Sequence, residues 1–239
     1  MADWLTLDDQ NCVDFGLHVK DFPPRMIPRR SGIEAKIPGG APAHAYDGAW
    51  GYENLIAPVE VYTDMAAGFD SLAAFLMPAG RKIVFGDDPA FAHYGRCDEQ
   101  TDFEKVMRGR KSRTATVNFI LSPFKRLTEP GPDLVFENGG SIFHPGTARC
   151  YPLFAIEGEG DGSFTLGQSR ETAVYNLEPG KKLLIDSEAM ICTDEKGYIN
   201  RSADMAGPYP YLDPGATSIS LSGGITKITI TPRFLWLGR

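Results

Sequence analysis

Apolar and polar positions alternate in short runs along this chain, and Gly, Pro, Asn or Asp interrupts the alternation about every ten residues. Residues 113–121 show it most cleanly, with Ala115, Val117, Phe119 and Leu121 on one side and Thr114, Thr116, Asn118 and Ile120 on the other. The preceding TDFEKVMRGRKS supplies the other arm of a hairpin, and RKIVFGDDPAFAHYGRC (81–97) reads as strand, turn and strand. A further strand is expected within DGAWGYENLIAPVEVYT (47–63), with Trp50, Tyr52, Asn54 and Ile56 sharing a side. The period changes once, over 64–77, where Met65, Phe69, Leu72, Ala73 and Leu76 recur at helical spacing. That predicts a helix lying on the sheet, capped by Thr63 or Asp64 and stopped by Pro78.

Residues 14–30 predict one short strand followed by a stiff extended crossover, because Pro23, Pro24 and Pro28 each fix φ and bias the residue before them away from helix. The next stretch, SGIEAKIPGGAPAHAYDGAWGYENL (31–55), alternates like sheet but carries mostly Ala, Gly and single aromatics. Ile33, Ala35 and Ile37 share one face, residues 38–42 turn, and a second strand runs from Ala43 to Tyr46. A two-stranded hairpin is marginal alone in water, and this one has only Ile33, Ile37, Tyr46 and small neighbours to bury. It needs another surface, either its own domain or the next subunit, and a head-to-tail contact between subunits that closes makes a ring.

KRLTEPGPD predicts a boundary near residue 126, giving domains 1–126 and 127–239. In the second, turn signals at 137–140, 178–180, 213–215 and 222–224 separate runs such as LFAIEG, GSFTLG, KKLLID and ITKITITP, the rhythm of an antiparallel sandwich. The fold class expected is therefore mainly β: an N-terminal β-sandwich domain with one α-helix and a protruding β-hairpin arm, then an antiparallel β-sandwich.

The net charge of -7 and the absence of a Lys/Arg cluster argue against a nucleic-acid reader or a binder of anionic membranes. Arg108, Arg110, Lys111 and Arg113 read as a solvated turn. Cys12, Cys97, Cys150 and Cys192 lie far apart with no CxxC pair and no secretory leader is evident, so four buried thiols in a cytosolically made protein are expected. The apolar runs fall short of the ~20 residues of a membrane span, which predicts a soluble protein.

Compact catalytic signatures (GxGxxG after a strand, P-loop, GxSxG, HExxH) do not occur, and His18, His44, His93 and His144 are scattered. No enzyme and no cofactor are expected. EGEGDGSFTLGQ (157–168) places Glu157, Glu159, Asp161 and Gly162 at positions 1, 3, 5 and 6 of a calcium loop, but Gln168 replaces the bidentate Glu. An acidic hairpin turn is the favoured reading, with no metal. Asp186 and Glu188 share a face if both lie on a strand, the minimum for paired-carboxylate glycoside hydrolysis, although such pairs are usually just solvated.

At FGLHV (15–19), PPRMIPRR (23–30), VFGDDP (84–89), FILSPF (119–124), IDSE (185–188), LDPGATSISLSGG (212–224) and ITKITITPRFLW (225–236), the chain resembles the distal tail proteins of siphovirus-type phages and prophages. The likeness covers nearly the whole chain. It implies a baseplate hub at the distal tip of the virion tail, made in the bacterial host cytoplasm and assembled as a homo-oligomeric ring, usually a hexamer. The N-terminal domains would make the ring and a galectin-like C-terminal sandwich would project outward. The implied partners are identical subunits, the tail tube protein, the tape measure protein and a tail-tip fibre or receptor-binding protein. DNA would pass through the channel without specific binding, which an acidic or neutral lining permits. FHPGTARC carries no galectin-type set of His, Asn and Arg, so sugar binding is not expected. Subunit-contact candidates are Arg29, Arg30, Ile33, Ile37, Tyr46 and Trp50. The alternative is a carbohydrate- or calcium-binding β-sandwich module.

Overall fold

The structure, a computed structural model, describes residues 3–31, 33–35, 44–46, 51–64, 68–78, 80–98, 101–106, 112–167 and 170–239. The chain forms two units, Met1–Thr128 with Leu237–Arg239, and Glu129–Trp236.

In the first unit β1 (Leu5–Leu7) turns into β2 (Gln10–Asn11) through Asp8 and Asp9, both at positive φ, the mirror-image turn that suits tight hairpins. β3 (Leu17–Asp21) follows, then β4 (Ile33–Ala35) and β5 (His44–Tyr46), and then β6 (Leu55–Thr63). β6 obeys strict two-residue alternation: Leu55, Ala57, Val59, Val61 and Thr63 are buried. Ile56 is thus on the solvent side, 59 % exposed. Pro58 is tolerated because the pairing of β3 stops at Glu60, which leaves β6 an edge where the ring nitrogen sits.

The predicted helix is α1 (Phe69–Leu76), shorter at its start than 64–77, and residues 65–67 lie outside the described set. Neither Thr63 nor Asp64 caps it; Gly68 occupies the N-cap with no side-chain bond. Its core face is Leu72, Phe75 and Leu76, whereas Phe69 is 53 % exposed and meets Phe103 edge-on at 6.1 Å. β7 (Arg81–Phe85), β8 (Phe91–Cys97), β9 (Glu104–Lys105) and β10 (Arg113–Leu127) complete the sheet, ordered β2-β1-β7-β8-β10-β6-β3. Ala115, Val117, Phe119 and Leu121 turn inward on β10 as the alternation predicts, and α1 closes the core they share with Leu5, Leu7, Leu17, Ile83 and Phe85.

The second unit comprises β11 (Leu134–Phe136), β12 (Gly140–His144), β13 (Leu153–Leu166), β14 (Arg170–Leu177), β15 (Lys182–Asp186), β16 (Ile191–Asp194), β17 (Met205–Ala206) and β18 (Gly215–Thr231). The short runs LFAIEG and GSFTLG are one 14-residue strand, so the acidic stretch 157–162 is a bulge inside β13 and not a hairpin turn. On one side β13 pairs with β15 through 153–157 and with β14 through 160–166; on the other it pairs with β18 along both halves. The bulge bends the pair into two antiparallel layers, and the rings of Phe154 and Phe164, from opposite halves of β13, meet at 5.5 Å. β19 (Trp236–Leu237) then carries the chain back to β10.

Candidate assembly surface

The stem of the expected arm is built into the first unit. Arg30 and Tyr52 form an antiparallel bridge, the Ser31 amide donates to the Gly51 carbonyl (2.6 Å) and that of Glu53 to the Arg29 carbonyl (2.9 Å). Tyr52 anchors this stem edge-on against Phe124 at 5.6 Å. Further out β4 and β5 pair antiparallel in the register Ile33 with Tyr46, Glu34 with Ala45 and Ala35 with His44. Arg29 and Arg30 are exposed on the stem; Ile37 and Trp50 lie outside the described residues, as do the side chains of Ile33 and Tyr46.

The proline crossover leading to the stem has no regular structure and is held by side chains. Phe22 packs edge-on against Phe85 at 6.5 Å, Arg25 pairs with Asp88 at 2.5 Å, and residue 239 bonds Met26 in both directions (2.9 and 3.3 Å). The Arg239 guanidinium, almost wholly buried, donates to the Pro23 carbonyl and to Asp87 (2.8 Å) and lies over the Phe85 ring at 4.5 Å. Lys125 donates to Asp88 at 2.9 Å. This cluster joins residues up to 216 positions apart, and alternation alone could not have found it.

The carboxylates Asp186, Glu188, Glu157 and Asp161, considered for chemistry, are tied up structurally. Asp186 ends β15 while Glu188 sits in the following turn, so they do not share a strand face. Arg233 donates to both oxygens of Asp186 (2.8 and 3.0 Å) and to Glu188 (3.1 Å), and the amides of Glu188 and Ala189 also reach Asp186. Partial burial alone would raise the Asp186 pKa, but the Arg233 and amide bonds outweigh it and hold the carboxyl below its ordinary value. Glu157 forms ion pairs with Lys227 (3.2 Å) and Lys182 (3.6 Å), and Asp161 accepts the Asn176 amide (3.1 Å). Among the described residues no three His, Cys, Asp or Glu side chains gather to hold a metal.

His144 accepts the Gly146 amide at Nδ1 (2.9 Å), donates to the Ala148 carbonyl (2.7 Å) and stacks on Phe234, a packing role. His18 stacks on Tyr62 beside Asp3. Cys12, Cys150 and Cys192 are buried, but Cys97 is only half-buried, in a groove lined by Phe69, Ala73, Met77 and Phe103. Burial pushes the Cys12 and Cys192 thiols up to about 11, which leaves them inert.

Among solved structures, the architecture aligns end to end with that of the Dit protein of phage SPP1, described as a paradigm of the hub adsorption apparatus in phages infecting Gram-positive hosts. The TM-score is 0.78 over 98% of this chain and 100% of that chain, at 15% identity. The chain has the Dit fold. Two activated baseplate structures of phage P2, with Ca and with Sr, align at TM-scores of 0.49 and 0.47 and identities of 8% and 9%. These alignments cover 96% and 98% of this chain and 98% and 100% of those chains. No family model and no curated protein sequence matches. The alignment includes both units.

Proposed function

We propose that this chain is the distal tail hub of a siphovirus-type phage or prophage, a structural protein that works through subunit contacts and not through catalysis. The observation that carries this reading is the end-to-end match to a hub protein, with both units included. In this reading the first units close into a ring, a hexamer, that joins the tail tube and tape measure protein on one side to the tail-tip or receptor-binding machinery on the other, and DNA passes through the central channel. The second unit is the galectin-like sandwich of that assembly. The arm supplies the contact: its stem is rooted by Tyr52 on Phe124, and its sequence offers little of its own to bury beyond Ile33, Ile37 and Tyr46.

Light scattering across micromolar concentrations, with negative-stain imaging, tests it. A closed ring is expected, and deleting residues 34–45 is expected to give a folded monomer. A strict monomer at every concentration, including when mixed with neighbouring tail proteins, overturns the reading.

A further inference from the structure

His93 is the one described histidine whose two ring nitrogens are both buried without a hydrogen-bond partner, and the Nε of Arg239 shares that condition. Buried polar atoms are nearly always satisfied, so two such side chains against one ring need an explanation. Both touch Phe85: His93 edge-on at 5.6 Å and Arg239 over its face at 4.5 Å. His93 is 1% exposed, and on β8 it pairs in register with Lys125 of β10 and Ile83 of β7. The charged groups around it come from four further elements: Lys125 from β10, Asp87 and Asp88 from the β7–β8 turn, Arg25 from the crossover and Arg239 from the returning segment. As a neutral ring, His93 leaves three cations sharing two carboxylates.

We propose that His93 is an acid trigger for the 237–239 segment: on taking up a proton it becomes a fourth cation beside Arg25, Lys125 and Arg239, and the segment is released from Pro23, Met26 and Pro123. Geometry sets the direction. Desolvation first, then the Lys125 and Arg239 charges, holds the His93 pKa down at about 4. A base depressed in the folded state contributes stability that is complete above its ordinary value near 6.5 and is lost as pH falls through that window towards 4. Asp88 does not relieve the trigger by protonating first. Its burial would raise its pKa, but the Lys125 and Arg25 bonds keep it below the ordinary carboxylate value.

The test uses the full chain. Backbone amides of Met26, Gly238 and Arg239, which close the segment onto the first unit, are followed by hydrogen exchange as protection factors from pH 7 to 4.5. Their opening equilibrium is expected to rise on the order of a hundredfold, and to stay nearly flat in His93→Phe or His93→Met. The imidazole signal of His93 in the unsubstituted protein is expected to titrate below pH 5, a measurement that needs no variant to fold. An ordinary titration near 6.5, unchanged segment protection at pH 4.5, or an equal acid response in a folded His93 variant overturns the proposal.

Discussion

Arg81 shows how one side chain can hold a corner of this fold. It is buried at the start of β7, donates to the carbonyls of Phe75 (2.5 Å) and Leu7 (3.0 Å) and to Asp8 (2.7 Å), and so joins the end of α1 to the first hairpin. Removing the guanidinium leaves two buried carbonyls without their partner, each worth about 1–3 kcal/mol, while the half-exposed Asp8 recovers water. Arg81→Met is therefore expected to lower the urea-unfolding free energy of the first unit by about 2–4 kcal/mol. The control is Lys20→Ala, which removes a surface ion pair with Glu60 at 2.8 Å and is expected to leave the midpoint unmoved. A hint of the difference was present in the sequence. Arg81 shares strand parity with Ile83 and Phe85, which marks an inward-pointing arginine, whereas Lys82 has the outward parity. What the arginine meets there depends on α1 and β1, and spacing along one strand cannot supply that.

At the scale of elements, the two-layer form of the second unit rests on glycines where β13 and β18 bend together. A Cβ on Gly224 would lie 1.8 Å from the Glu159 carbonyl oxygen, and one on Gly158 2.2 Å from that of Gly224. Backbone meets backbone there, so no side-chain rotation relieves the clash, and Gly224→Ala or Gly158→Ala is expected to destabilise the second unit by about 1–3 kcal/mol or more. Gly131→Ala, with nothing within 4 Å, is expected to be neutral in the same thermal scans. The existence of strands was legible because one-sided burial imposes a period of two, as in β6 and β10. Continuity through the bend was not legible: Glu157 to Gly162 looks like a turn by composition, yet Glu157, Gly158 and Gly162 stay paired to β18 across a bulge. The inward face of α1 was only partly legible for a related reason. Phe69 fits the helical stripe, but the core accepts Phe75 and leaves Phe69 to Phe103. The arm was legible as a hairpin with little to bury; which surface it meets depends on a contact with another body, and a single sequence records no such contact.

Across the whole molecule, the order of the chain makes the first unit depend on the second for its completion. The amide of Gly238 must reach the Pro123 carbonyl, and residue 239 must pair with Met26, after the entire second unit has been traversed. From an unfolded chain the Pro123–Gly238 closure spans more than a hundred residues. Folding of the second unit pins Asp133 to Thr231 (2.7 Å) and pairs β11 with β18, which leaves about a sixth of that length to close. Loop-closure entropy grows as 1.5RT times the logarithm of length, so prior folding of the second unit favours the closure by about 1.5 kcal/mol. The buried Arg239 stabilises this last step, since its bonds to Asp87 and Pro23 form only when β7, the crossover and the returning segment are all in place. Refolding from denaturant with pulsed amide labelling is expected to protect β13 and β18 first and the amides of Met26, Gly238 and Arg239 last. In Arg239→Met the late phase is expected to slow or lose amplitude while protection of β13 and β18 keeps its rate. Segment amides that gain protection together with or ahead of β13 and β18 would show that the first unit closes without waiting for the second.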